Sequence, residues 1–263
     1  MQEIKLKVMN SEGRTLITCP EASEVSLVHA AEYQPGDRII LECREPGCFC
    51  VIQLEDSLAP SLVYVTQREV VYNIPFGEQR VVFSPKAFTG NCHLIRARLA
   101  RPEEVAARRN LAVNPYDQHG MAGMFPHSSA NVETRGEAVF ASYNAIDGIY
   151  ENTSHGVWPY ASWGINRDPN AAWTLDFGRS VKIDELRDTH RADFPHDSWW
   201  TQGEVVFSDG SAEVLHFEKT GKPQSFAVEP RVVTSLTFRS LIKADDPSPF
   251  PALTQFEAWG TEA

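Results

Sequence analysis

Alternation of apolar and polar residues at a period of two is the main pattern along the chain. Near the start, Ile4, Leu6 and Val8 alternate with Lys5 and Lys7, which is typical of a β-strand with one buried face. The same pattern recurs between short clusters of turn residues such as PGD, EPG and FTGN. It predicts strands at residues 4–8, 38–43, 49–54, 61–67, 70–74, 80–84, 93–100, 172–178, 181–192, 200–208, 211–218, 231–241 and 253–260.

One short helix and one irregular segment separate the two runs of strands. Residues 101–110 place Pro102 in a first helical turn, with acidic residues ahead of Arg108 and Arg109, as the helix dipole favours. Residues 111–132 are rich in Asn, Pro, Gly, His and Ser and have no periodicity. We therefore predict an all-β protein with a β-sandwich of unassigned role at residues 1–100, a helix and linker at 101–132 and a second β-sandwich at 133–263.

Composition narrows the classes of partner. The chain has 263 residues, enough for two cores, and a net charge of -11. This acidic balance argues against a nucleic-acid partner, which requires clustered Lys and Arg, and favours neutral or cationic ligands. We expect no membrane span, because no stretch reaches about 18 apolar residues. The N-terminus lacks the features of a signal peptide, which predicts a cytoplasmic protein, or an extracellular one if a leader has been removed.

All five cysteines lie in the first 92 residues, at positions 19, 43, 48, 50 and 92. An odd number without a secretion signal favours reduced thiols over a disulfide framework. Cys43, Cys48 and Cys50 are close in sequence, but their spacing lacks the C-x2-C pattern of zinc knuckles. We therefore predict free, mostly buried thiols, with a zinc site as the alternative.

Five segments of the second half occur in a characteristic order. They are NAIDG (144–148), the pair Trp158 and Trp163, AAWTLDFGRSVKIDEL (171–186), VVFSDGS (205–211) and TQFEAWG (254–260). Together they resemble the discoidin or coagulation-factor type C domain, the family that includes the family 32 carbohydrate-binding modules. The resemblance covers residues 133–263, and the first 110 residues carry no comparable match. It implies a galactose-binding-like jelly roll whose loops at one end bind sugars or lipid headgroups.

Residues 144–154 are rich in hard oxygen donors, which calcium prefers: Asn144, Asp147, Asn152, Thr153 and Ser154. The family resemblance implies a structural Ca²⁺ held by the carbonyl of Ala145 and the carboxylates of Asp147 and Glu257, with Asn152 and Ser154 as further candidates. The insertion IYEN lengthens this loop relative to the family pattern, so Asn152 and Ser154 do not match the family spacing. The alternative is that Asp147 and Gly148 simply form a turn and Glu257 is a solvated strand residue.

The segment RADFPHDSWW, residues 191–200, concentrates charged and aromatic residues at the predicted turn of a hairpin. Trp199 and Trp200 cannot both face the core of an extended strand. An exposed indole beside Arg and Asp suits a sugar, because the ring covers the apolar face of a pyranose while the charged groups bind its hydroxyls. A second loop, residues 155–168, repeats the pattern. The predicted ligand-binding residues are Trp158, Tyr160, Trp163, Asn166, Arg167, Arg191, Asp193, His196, Asp197 and Trp199.

These features favour a non-catalytic carbohydrate-binding protein. The main local alternative is that Arg191 and Asp193 form a structural ion pair that pins the loop. Two other functions stay open. One is a glycoside-directed hydrolase, or an accessory subunit of one, with Asp193, His196 and Asp197 supplying acid and base, although the chain has none of the common hydrolase or nucleotide-binding motifs. The other is a structural adaptor that binds a protein partner.

Overall fold

The computed structural model describes residues 2–152 and 154–263 and confirms the predicted all-β class. The strands are β1 (Ile4–Met9), β2 (Thr15–Thr18), β3 (Glu24–His29), β4 (Arg38–Cys43), β5 (Cys48–Gln53), β6 (Ser61–Val65), β7 (Glu69–Asn73), β8 (His93–Leu99), β9 (Arg109–Asn110), β10 (Met124–Phe125), β11 (His127–Ala130), β12 (Trp163–Gly164), β13 (Trp173–His190), β14 (Trp200–Phe207), β15 (Ala212–His216), β16 (Gln224–Lys243) and β17 (Ala252–Glu262). The helical elements are α1 (Pro102–Ala106) and the short 3-10 helices Gly77–Arg80, Thr134–Gly136, Ala138–Phe140 and Ser142–Ile146.

The first half of the chain forms a sandwich of two antiparallel sheets, in the orders β2-β1-β4-β7 and β10-β6-β5-β8-β3. The alternating residues of β1 bury Ile4, Leu6 and Val8 in its core, as the pattern predicts. The segment expected to be a linker also contributes. Its strand β10 pairs with β6, and Tyr116 and Met121 are buried in the same core. Residues 111–132 are therefore packed structure over part of their length.

The second half forms a sheet of order β12-β17-β13-β16-β14-β15, to which β11 and β9 add at the side. Its inward-facing residues make a separate core that includes Trp163, Trp173 and Trp200. The two strands predicted at 172–178 and 181–192 are one strand, β13, with a register shift between Asp176 and Val181. Gly178 adopts a left-handed φ of 67° there, so the glycine bends the strand instead of ending it.

Two sequence predictions of local structure were wrong. Residues 80–84 form no strand, because the chain turns after the helix Gly77–Arg80, and Val82 and Phe83 pack against residues of the second half. The helix predicted at 101–110 ends at Ala106, and Arg109 with Asn110 pairs with β17 as strand β9. The exposed strand β2 and strand β3 were missed; in β2 three of the four residues are exposed, which leaves no alternating pattern to detect.

A small apolar cluster joins the two halves. It contains the buried residues Val82, Val139 and Phe140, with Phe83 and Tyr143 packed against them.

No helix among residues 2–152 and 154–263 has the length and apolar character needed to cross a membrane.

Candidate ligand site between the two sandwiches

Arg191, predicted to bind a ligand, is buried inside the loop end of the second sandwich. Only 1% of its surface is exposed, and its guanidinium pairs with both carboxylate oxygens of Asp193 and donates to Ser162 Oγ at 3.2 Å. The rings of Phe140 and Tyr160 lie 5.9 and 5.6 Å from its Cζ atom. Both charges are thus satisfied within the protein, and the prediction that Arg191 and Asp193 contact a ligand does not fit this geometry.

The two predicted loops do meet in space. His155 Nδ1 lies 3.1 Å from Asp193 Oδ2 and 3.2 Å from an Arg191 nitrogen. The rings of His155 and His196 stack at 5.3 Å. His196 is buried, and this burial together with the nearby Arg191 lowers its pKa to about 4. The contacts hold the exposed ring of His155 against buried groups of the other loop, so they join the two loops and stabilise the loop end.

Of the four predicted aromatic residues, Trp163 is buried, and Trp158, Tyr160 and Trp199 are half-buried. Trp163 is fully buried and its indole N–H donates to the carbonyl of Val132 at 3.0 Å, so its assignment as a ligand-binding residue is wrong. It fills the core because β12 places it on the inner face of the sheet. Of the adjacent pair, Trp200 is fully buried and Trp199 packs partly against the same core. The alternation of side chains along a strand therefore distinguishes the two tryptophans correctly, and neither indole is fully exposed.

The remaining predicted residues of these loops are more accessible. Asn166 and Arg167 are exposed and both have left-handed φ angles, of 49° and 59°. The guanidinium of Arg167 lies over the ring of Phe250 at 4.5 Å. Asp197 is half-buried, and its Oδ1 atom has no hydrogen-bond partner among the described residues. These three side chains are therefore more exposed to solvent than the buried pair of Arg191 and Asp193.

A more enclosed cavity lies at the junction of the two halves. It has a volume of about 190 Å³ and receives walls from the first sandwich, from the connecting segment and from the second sandwich. The residues that line it are Ser57, Leu58, Ala59, Val82, Phe83, Asn114, Pro115, Asp117, Tyr143, Asn144, Asp147, Gly148, Ile149 and Trp158. Trp158 and Asp147 were both singled out from the sequence, although for two different sites.

The Trp158 indole is fixed against the first sandwich. It is half-buried, and its N–H donates to the carbonyl of Val82 at 3.1 Å. Tyr143 and Phe83 supply further aromatic surface to the same cavity. Because the indole nitrogen is already bonded to protein, what Trp158 offers a ligand is the apolar surface of its ring.

Asp147 supplies the carboxyl group of the cavity. Its Oδ1 atom accepts hydrogen bonds from the Ile149 amide at 2.8 Å and from Gln255 Nε2 at 2.6 Å. Part of the residue reaches the surface, but the carboxyl group lies among buried atoms, and this burial raises its pKa to about 8. A carboxyl that holds its proton near neutral pH can both donate and accept hydrogen bonds.

The other polar side chains of the cavity hold its walls in place. Asn114 donates to the carbonyl of Pro126, and Asn144 to the carbonyls of Ala138 and Ser162. Asp117 accepts from the backbone and hydroxyl of Ser128 and pairs with His127 at 2.6 Å. These groups hold the walls of the cavity through bonds within the protein, and Asp147 differs from them in carrying a carboxyl group whose pKa is raised.

Several of the residues predicted to hold calcium make hydrogen bonds within the protein. The amide nitrogen of Gln255 lies 2.6 to 2.7 Å from Asp147 Oδ1, the Asn144 carbonyl and the Thr254 carbonyl. These three oxygens, which a cation would use, therefore already surround an amide donor. Asn152 donates to the carbonyls of His190 and Gly221, Ser154 to those of Val157 and Pro159, and Glu257 accepts from the Trp259 indole.

Two further predicted donors remain. Ala145 is buried at the end of the short helix Ser142–Ile146, and Thr153 lies outside the described residues. Calcium binding by this loop stays a prediction.

Comparison with known proteins gives structural matches only. No family model and no curated protein matches the chain. Solved structures similar to it include carbohydrate-binding modules. Chitosan-binding module 1 of a chitosanase/glucanase from Paenibacillus sp. IK-5 has 15% identity, covers 58% of this chain and 99% of its own, and has a TM-score of 0.41.

Two further modules match in a similar way. A Streptococcus pneumoniae fucose-binding module has 11% identity, covers 59% and 99% of the two chains, and has a TM-score of 0.41. The family 32 module of C. perfringens NanJ, solved with galactose, has 15% identity, covers 50% and 91%, and has a TM-score of 0.38. The family that the sequence resembles is thus among the matches.

Sequence reasoning missed the part of the cavity that the first half supplies. Val82 and Phe83 were read as a strand, and Leu58 and Ala59 lie in a turn without any motif. Tyr143, directly before NAIDG, was the one signal available, since an aromatic residue there adjoins a turn rich in oxygen donors. A cavity formed by distant segments has no pattern in a single sequence.

Proposed function

We propose that this protein binds carbohydrate and that it takes a single sugar ring, or the terminal ring of a glycan, in the cavity between the two sandwiches. The observation that carries the proposal is the combination of an indole face from Trp158 with a largely protonated carboxyl from Asp147 in one enclosed space. Apolar ring faces and a few well-placed hydrogen-bonding groups are the usual means of recognising a neutral, hydroxyl-rich ligand.

Size and charge favour the same class of ligand. A volume of about 190 Å³ is below the roughly 300–1,000 Å³ of sites for drug-sized molecules, so it suits one ring. A net charge of -11 disfavours phosphorylated ligands, and a protonated carboxyl prefers hydroxyl groups to anions. Because so small a ligand buries little area, we expect dissociation constants in the micromolar to millimolar range.

The test is binding to a panel of glucose, galactose, fucose, glucosamine and N-acetylglucosamine, followed by isothermal titration calorimetry with the tightest member. We expect Trp158→Ala to weaken binding about 10-fold or more, since stacking on an aromatic ring contributes on the order of 1–2 kcal/mol. Asp147→Asn keeps the size and one donor but loses the carboxyl, and we expect a smaller loss.

The matched controls are Trp199→Ala and Asp197→Asn, which change the same residue types at the loop end. They should leave binding unchanged. A loss confined to the control variants would contradict the location proposed here and favour the loop end. Release of product from a nitrophenyl glycoside of the same sugars would contradict a function limited to binding and favour a hydrolase.

A further inference from the structure

Three cysteine side chains converge at one end of the first sandwich. Cys43 is the last residue of β4, and Cys48 and Cys50 lie at the start of β5. Residues at i and i+2 of a strand share a face, so Cys48 and Cys50 both point toward the interior. Because β4 and β5 belong to opposite sheets, the short turn between them places Cys43 opposite this pair.

The sulfur atoms are close enough to share one ion. All three Sγ atoms lie within 4.8 Å of one another, and those of Cys48 and Cys50 are 3.9 Å apart. Thiolates that hold a tetrahedral zinc ion at about 2.3 Å are separated from each other by about 3.8 Å. The pair on β5 therefore already has the required spacing, and a small movement of Cys43 completes it.

Burial agrees with this geometry. Cys43 and Cys50 are buried and Cys48 is half-buried. Cys48 is therefore the member of the cluster nearest to solvent. Cys48 also lines a shallow groove with Gln2, Phe49 and Glu262, so an ion and a water molecule can reach the cluster from one side.

We propose that Cys43, Cys48 and Cys50 form a binding site for a thiophilic divalent cation, with zinc as the best fit and a water molecule in the fourth position. Soft thiolate ligands select zinc over calcium or magnesium, and three protein ligands with one open position are a common zinc arrangement. The site lies in the first sandwich and is independent of the carbohydrate proposal. The sequence pattern alone does not identify this site, because its C-x4-C-x-C spacing differs from the C-x2-C pairs by which zinc knuckles are recognised.

The chain provides matched controls for a test. Cys19 is a buried thiol of the same core that is hydrogen-bonded to the backbone of Leu6, and Cys92 is exposed. The experiment adds zinc to the full chain, reduced with a phosphine, in competition with a chromophoric chelator. We expect one zinc ion per chain, about 100-fold weaker binding in Cys43→Ser and Cys50→Ser, and unchanged binding in Cys19→Ser and Cys92→Ser.

A second measurement covers the case in which a buried serine prevents folding. Cobalt added to the unaltered protein should give a thiolate-to-metal charge-transfer band with the intensity of three thiolates, and zinc should protect three of the five thiols from alkylation. The proposal is overturned if the reduced protein binds no zinc at micromolar concentration, if Cys92→Ser weakens binding as much as Cys43→Ser, or if zinc leaves all five alkylation rates unchanged.

Discussion

The loop end of the second sandwich and the cavity between the sandwiches are both rich in aromatic and charged residues, but they use them differently. At the loop end, Arg191 and Asp193 neutralise each other inside a shell of Phe140 and Tyr160. In the cavity, the carboxyl of Asp147 has no cationic partner among the hydrogen bonds described for it, and burial raises its pKa against the lowering effect of those two bonds.

The comparison separates two uses of polar and aromatic residues. They stabilise a fold where opposite charges neutralise each other, and they can bind a ligand where an acidic group is enclosed without a countercharge. The comparison makes separate predictions for the two regions: changes at the loop end affect stability, and changes at the cavity affect binding and pH dependence.

The largest expected effect is on stability at the loop end. Arg191→Ala leaves the buried carboxylate of Asp193 without its partner, and breaking a buried ion pair in this way costs about 3–5 kcal/mol. Urea denaturation measures the loss. The matched control is Arg167→Ala, which removes an exposed guanidinium and should cost less than about 1 kcal/mol. Equal losses in the two variants would show that Arg191 is not structurally special.

The next effect concerns Gln255, whose side-chain amide lies within hydrogen-bond distance of Asp147 Oδ1 and of two backbone carbonyls. Gln255→Glu puts a second acidic group beside the largely protonated Asp147, and we expect a loss of about 1–3 kcal/mol from the lost amide donor and the burial of another carboxyl. Calcium should restore part of this stability, because the variant has a cluster of hard oxygens. The unaltered protein should keep the same melting temperature with calcium or with a chelator. A calcium-dependent rise in the unaltered protein would instead support the calcium site that the sequence resemblance implies.

A third effect, measured as a slope per pH unit, follows from the raised pKa of Asp147. Since the folded pKa of about 8 exceeds the ordinary value, the folded state binds more protons, and stability falls as pH rises from about 4 to 8, by at most about 1.4 kcal/mol per pH unit. Melting temperatures between pH 5 and 8 should therefore decline less steeply in Asp147→Asn. Parallel curves for the two proteins would contradict the buried, protonated carboxyl.

The smallest effect has the opposite sign and belongs to His196 at the loop end. Its folded pKa is lowered to about 4, so its contribution to stability is present above about 6.5 and is lost as pH falls toward 4. Arg191 and Asp193 of the same segment and His155 of the neighbouring loop act on the same titration. We expect His196→Gln to be less sensitive to acid than the unaltered protein in melting experiments over this range. An unchanged acid sensitivity would assign the effect to another group.

Much of the fold could be predicted because it depends on local alternation. Strand β4 was predicted with its observed bounds, and the Asp209-Gly210 turn between β14 and β15 was recognised from its residues. The site could be predicted only in part. Trp158 and Asp147 were selected, but whether Arg191 meets a ligand or an internal carboxylate depends on distances that no sequence pattern contains. The contribution of Val82 and Phe83 depends on how two halves pack, which is also non-local.

The central claim is that a sugar enters the cavity and contacts Trp158. The most direct test follows the indole N–H signals of the six tryptophans by nuclear magnetic resonance during titration with the tightest-binding monosaccharide, with the Trp158 signal assigned from its absence in Trp158→Phe. We predict a saturable shift of the Trp158 signal while that of Trp199 stays in place. A shift of Trp199 with Trp158 unmoved, or no shift of any indole signal with the whole panel, would contradict the claim.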